Sequence, residues 1–153
     1  MPYTPETINS GDPITAEWGN KIEQELAKLD KKPSILAANE DVVTTTSSAW
    51  TGLKGFTLLN SPSSPMGTLG ASVVANVSPS SASGNLRINI YDYYGDNSLL
   101  VSDVTNVTAS APTLVEIGIV DVSTLTPGAY LVSLQGNVSG GSLTIIATEF
   151  RGG

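Results

Sequence analysis

The sequence predicts a mainly β protein: an N-terminal extended arm and single amphipathic helix, then an antiparallel β-sandwich of about eight strands, jelly-roll-like in layout. Three observations carry that expectation. Composition changes at Pro33, where a short charged segment gives way to a long stretch rich in Ser, Thr, Gly, Val and Leu. The spacing of apolar residues changes there from helical to a period of two. Clusters of turn-forming residues then recur between the alternating runs. At 153 residues and 15.8 kDa the chain can build one good core but not two. The expected division is an appendage, residues 1–33, and a sandwich domain, residues 34–153.

Residues 1–13 (MPYTPETINSGDP) hold three prolines and several turn formers. Proline removes a backbone donor and biases its predecessor towards extended conformations, so this segment reads as an arm. Thr15 is suited to cap a helix that opens with Ala16 and Glu17, where negative charge is favourable. Lys28, Lys31 and Lys32 complement the other end, and Pro33 stops it. Within this helix Ile14, Trp18, Ile22, Leu26 and Leu29 form one apolar stripe, opposite Glu17, Lys21, Glu23, Glu25 and Lys28. A helix of about 16 residues is marginal alone in water, so the stripe must be buried, either on the chain's own second domain or against another molecule. Its place at the end of the chain, after an arm and before a domain of different composition, favours attachment or oligomerisation.

From Ile35 onward the period changes to two in a series of runs. Leu86, Ile88 and Ile90 alternate with Arg87, Asn89 and Tyr91; Val115, Ile117 and Ile119 with Glu116 and Gly118; Tyr130, Val132 and Leu134 with Leu131, Ser133 and Gln135. Adding Val42–Thr46, Phe56–Leu59, Leu69–Val77, Leu99–Val107 and Leu143–Phe150 completes the expected strands. Turn clusters such as Gly95-Asp96-Asn97, Thr126-Pro127-Gly128 and Ser139-Gly140-Gly141 separate them. Ser and Thr at outward positions keep the faces soluble without charge and suit β structure. Weakly charged sheet edges favour association, since an oligomer would cover them.

Function is bounded by what is missing. There is no histidine or cysteine, which excludes Ser-His-Asp and Cys-His chemistry and any histidine or cysteine metal site. Carboxylate chemistry remains, but Asp92, Asp96, Asp103, Glu116, Asp121 and Glu149 show no distinctive spacing, so no catalytic residue and no enzyme activity is expected. A net charge of -7 and a pI near 4.3 argue against nucleic acid as a partner. The opening residues lack the basic start and apolar stretch of a secretory signal, and no run approaches the roughly 20 apolar residues that span a bilayer. A soluble chain without membrane insertion, cofactor or metal is expected. The best candidate ligand site is Tyr91, Asp92, Tyr93, Tyr94 and Asp96, a mixture able to stack a sugar ring or to offer oxygen ligands. The competing and favoured reading is an ordinary hairpin turned by Gly95-Asp96-Asn97. Three sequons, at Asn76, Asn106 and Asn137, are expected to be unmodified.

The run Ser10-Gly11-Asp12-Pro13-Ile14-Thr15-Ala16-Glu17-Trp18-Gly19-Asn20-Lys21-Ile22-Glu23 resembles the N-terminal attachment segments of tailed-bacteriophage fibre and head-decoration proteins. The strand-rich remainder, ending in Leu143–Phe150, resembles the small sandwich domains of such proteins in composition and layout. The resemblance implies a protein of the virion surface, commonly trimeric, whose N-terminal segment binds the shell or tail while the sandwich projects outward. Its implied partners are itself, as a homotrimer, and the major capsid protein or another virion structural protein. A capsid decoration or head-fibre protein is the first expectation. A tail-fibre or receptor- and carbohydrate-binding module, with a host-surface glycan as partner, is the alternative.

Overall fold

The structure, a computed structural model, describes residue 20 and residues 34–63 and 66–153. The expected helix and its stripe Ile14, Trp18, Ile22, Leu26 and Leu29 lie outside the described residues, as does the arm. From Ser34 onward every described element is a strand. One sheet, sheet I, contains β1 (Ser34–Asn39), β2 (Val43–Thr45), β4 (Thr68–Ser78), β8 (Thr113–Asp121) and β10 (Ser142–Gly152). The other, sheet II, contains β3 (Thr51–Asn60), β5 (Ser83–Asp92), β6 (Ser98–Val101), β7 (Thr105–Val107) and β9 (Gly128–Ser139). All pairings are antiparallel.

Ten strands thus stand where about eight were expected, and the reason is local. β1 and β2 both pair with β10, at Thr148–Gly152 and at Leu143–Ile145, so they are two pieces of one column. Likewise β6 and β7 pair with successive parts of β5. Sheet I therefore reads β1/β2, β10, β4, β8, and sheet II reads β3, β9, β5, β6/β7. The expected single strand Leu99–Val107 breaks at Ser102, whose hydroxyl accepts from the Ile88 amide at 2.8 Å while its own amide donates to the Ile88 carbonyl at 2.9 Å. A side chain takes over one rung of the ladder, and the strand can turn away without orphaning a backbone donor. At the other break Asn39 Oδ1 accepts from the Asp41 amide at 2.9 Å, a local turn of the Asx kind. β1 was not expected at all, because SILAAN carries no alternation.

Period-two burial builds the core. Leu69, Val73, Ala75 and Val77 of β4 and Leu143, Ile145 and Phe150 of β10 face Leu86, Ile88 and Ile90 of β5 and Val132 and Leu134 of β9. Each large aliphatic side chain buried here contributes roughly 1.5–3 kcal/mol. Phe56 of β3 and Phe150 of β10 meet across the layers with ring centroids 4.8 Å apart. Packing is tight around Gly136 of β9, where a Cβ would lie 2.7 Å from Leu53 Cδ1 of the same sheet and 3.0 Å from Leu143 Cδ2 of the other.

Two bulges change which residues face inward. In β8 the partner of Leu69 is Val120 and that of Ala71 is Ile117, so β8 carries one extra residue there. Ile119, expected to alternate inward with Val115 and Ile117, is turned out and is 73% exposed, while Val120 takes the inward place. In β10 a shift between Ile145 and Ala147 has the same effect. Beyond it Thr148 pairs with the fully buried Val73 and shares its inward face. The Thr148 hydroxyl is buried with no hydrogen-bond partner among the described residues.

Candidate binding face

Residues paired across an antiparallel ladder share a face, so the outer surface of sheet II follows from its register. Asn85 lies beside Asn137, Arg87 beside Gln135, Asn89 beside Ser133 and Tyr91 beside Leu131. β7 adds Asn106 next to Asn85. Trp50 precedes β3, whose first pair is Thr51 with Gly136.

Two rows of hydrogen bonds cross this face. In the first, Asn106 Nδ2 donates to Asn85 Oδ1 at 3.1 Å, and Asn85 Nδ2 donates to Asn137 Oδ1 at 3.0 Å. In the second, Arg87 Nε donates to Gln135 Oε1 at 2.9 Å. Because arginine can only donate, that bond fixes which way the Gln135 amide points. Gln135 Nε2 then donates to the Tyr91 hydroxyl at 2.7 Å, and Asn89 Nδ2 donates to the same hydroxyl at 3.0 Å. Ser98 Oγ donates to Asn89 Oδ1 at 2.6 Å. Asn89 and Gln135 are only 3% and 8% exposed, so the network is fixed from beneath by packing as well as by bonding. The Arg87 guanidinium carbon sits 4.0 Å from the centre of the Trp50 ring. A cation over an aromatic face is worth roughly 0.5–2 kcal/mol, enough to bias a flexible arginine towards one pose.

The tyrosine hairpin divides. Tyr91 belongs to the face just described, whereas Tyr93 and Tyr94 stand on the turn, 55% and 82% exposed, with ring centroids 5.3 Å apart. Asp92 closes the turn: its Oδ1 accepts from the Asp96 amide and its Oδ2 from Asn97 Nδ2, both at 2.9 Å. Those bonds, led by Asn97, hold its carboxyl below the ordinary range. Gly95 at φ +74° supplies the left-handed residue. Asp92 is thus engaged in shaping the loop, while the Tyr91 hydroxyl is bonded to Gln135 and Asn89 on the sheet face. Among the described residues no three acidic side chains gather in a way that could hold a metal ion.

Of the six carboxylates weighed from the sequence, the structure brings together Glu116 and Glu149, on the outer face of sheet I. Ser72 Oγ donates to Glu116 Oε2 at 2.7 Å, Arg151 Nε meets Glu149 Oε1 at 2.6 Å, and Arg151 Nη2 reaches Ser72 Oγ at 2.5 Å. The groove beside them, lined by Ala38, Asn39, Val74, Leu114 and Ala147, encloses about 220 Å³. That is smaller than the roughly 300–1,000 Å³ of typical small-molecule sites.

Sequence reasoning placed Arg87, Asn89 and Tyr91 on one side of a strand and Ser133 and Gln135 on one side of another. It missed that the two strands are neighbours in register, and it missed Trp50, which lies outside any alternating run. The signal that could have found the face is an Asn/Arg/Gln spacing of two on β5 and β9. The three sequons have the same origin: Val77, Val107 and Val138 point into the core, which turns each preceding Asn outward.

No protein-family model and no curated sequence matches this chain. Solved structures do. A chain in the structure of infectious bursal disease virus, Gt strain, superposes with a TM-score of 0.54 at 10% identity, over 80% of this chain and 33% of that one. One in the Gx strain superposes at 0.53 and 14% identity, over 80% and 32%. The likeness is one of fold. That virus is not a tailed bacteriophage, and this chain spans about a third of the length of the viral chains it matches. A chain of the Glycosylation Associate Protein (Gap123) complex from Streptococcus agalactiae aligns over 80% of this chain and 40% of that one at 14% identity, with a TM-score of 0.41 that carries no argument.

Proposed function

We propose that this chain is a non-enzymatic structural protein of a virus particle, a capsid decoration or head-fibre protein of a bacteriophage, attached through residues 1–33 and displaying its sandwich outward. Strand order is the observation that carries the reading. Taken as eight columns, β1/β2, β10, β4, β8 against β3, β9, β5, β6/β7 is the order of a jelly roll, a sandwich used by virus shells and by lectins. The fold likeness to chains of a virus supports the same class. A sequence without histidine or cysteine supports a role without turnover. In this reading Ile14, Trp18, Ile22, Leu26 and Leu29 bury against the major capsid protein, another virion protein or two further copies in a homotrimer.

The test uses particles of a phage that encodes the chain, purified with and without its gene and imaged at low resolution. Extra surface density at high copy is expected only in the former. Residues 34–153 alone should remain folded and fail to attach, and Trp18→Ala should weaken attachment by roughly 2 kcal/mol if it is a central anchor. Particles lacking the chain altogether would overturn the role. A truncated sandwich that still decorates particles would move the attachment into the β domain.

A further inference from the structure

We propose that the outer face of sheet II is a binding site for an acidic saccharide, a sugar unit carrying a carboxylate, received between Trp50 and Tyr91 and read by Arg87. The site belongs to the sandwich alone and does not rest on the particle assignment.

Three hydrogen-bonding groups on this face are left unused by the network. Arg87 is bonded through Nε and stacked on Trp50, and its two terminal nitrogens have no partner among the described residues. The Tyr91 hydroxyl accepts two bonds, from Gln135 and Asn89, so its own proton is left to donate. Asn137 has its oxygen taken by Asn85, which leaves its nitrogen as the open end of the amide row. All three unused functions are donors. The ligand must therefore bring acceptors, and among the described side chains that the register places on this face no carboxylate competes for them. A planar guanidinium with both terminal nitrogens available matches a carboxylate by two parallel bonds.

Shape points to a sugar. The two polar rows lie two residues, about 7 Å, apart along the strands, the span of one pyranose ring with its substituents. Gly52, Gly55 and Ser133 keep the floor low beside Gln135: a Cβ at Gly52 would already touch Ser133 Oγ at 3.3 Å. Trp50 and Tyr91 are half-buried and bring aromatic surface with polar tips to the Arg87–Gln135 row, Trp50 against Arg87 and Tyr91 bonded to Gln135. In a chain of net charge -7 this local cation also makes binding weaken as salt is added.

The experiment is an NMR titration of the full chain with three carboxylated probes, tetragalacturonate, a hyaluronan hexasaccharide and sialyllactose, each against its methyl ester. At least one acid should shift the Trp50 indole N–H, the Asn137 side-chain amide and Arg87 Nε together, and its ester should bind about tenfold more weakly or not at all. Arg87→Gln should lose at least tenfold in affinity. Asn137→Asp, close to isosteric, should lose as much by placing a repelling carboxylate at the end of the row, while Leu114→Ser on the opposite face should change nothing. Any of four results would overturn the proposal: no acid shifting these signals up to about 10 mM, a level that detects Kd values near the millimolar range; an ester binding as tightly as its acid; Arg87→Gln retaining affinity with an unchanged melting temperature; or shifts confined to Tyr93 and Tyr94.

Discussion

At the scale of single residues, one buried polar side-chain atom among the described residues stands without a partner. The Thr148 hydroxyl faces the core without a partner, because the β10 bulge turns it inward. Thr148→Val keeps the shape and removes the desolvated group, so it should stabilise the chain by about 1 kcal/mol, read as a higher denaturant midpoint at constant slope. A loss of stability would mean that the hydroxyl is bonded in solution. Asp92 makes a second prediction. Its pKa is lowered, chiefly by Asn97, so its contribution to the hairpin is complete above the unfolded value of about 3.9 and disappears as pH falls through the lower folded value. Asn97→Ala should raise the Asp92 midpoint in a carboxyl NMR titration, and an unmoved midpoint would reject that cause. Residue chemistry of this kind was partly legible. The turn residues around Gly95 announce themselves, whereas the partnership of Arg87 with Gln135 needs a register between strands 48 positions apart, which no local pattern encodes.

Among the elements, strands with clean alternation were legible and their irregularities were not. β4, β5 and β9 correspond to expected runs because their buried faces are written as apolar residues, mostly Leu, Ile, Val and Ala, at every second position, and β10 begins the same way at Leu143 and Ile145 before its bulge. The inward assignment of Ile119 fails because one inserted residue reverses every side chain beyond it, and a bulge leaves no compositional trace beyond Gly118. Closely packed glycines are equally quiet in sequence and decisive in structure. Gly136 lies where β9 meets Leu53, Leu86 and Leu143, and an added Cβ would come within 3.2 Å of all three. Gly136→Val should displace the Leu53, Leu86 and Leu143 side chains from their packed positions and cost roughly 1–3 kcal/mol in unfolding free energy. Gly140→Val, at a site with no atom within 4 Å of the new Cβ but with φ +78°, would lose stability by backbone strain instead. Separating the two requires a second core change: Leu143→Ala should rescue part of the loss at Gly136 and none at Gly140.

For the whole molecule, composition announced the sandwich, but the order of its strands came only with the structure, since alternation states which face is buried and never which strand lies alongside. That order has a consequence in time. β10 occupies the interior of sheet I, flanked by β1/β2 on one side and β4 on the other. Until Ser142–Gly152 have emerged from the ribosome, the strands that flank them have no common partner, and the inner face of β4 lacks Leu143, Ile145 and Phe150 beside it. A topology so dominated by pairings distant in sequence folds on the order of milliseconds to seconds. On a ribosome adding roughly 5–20 residues each second, sheet II can therefore assemble first, around β3, β5 and β9, and must wait for the Leu143, Ile145 and Phe150 side chains that complete the opposite face of the core. The central position of β10 makes the nascent chain most vulnerable to misassociation just before that strand emerges.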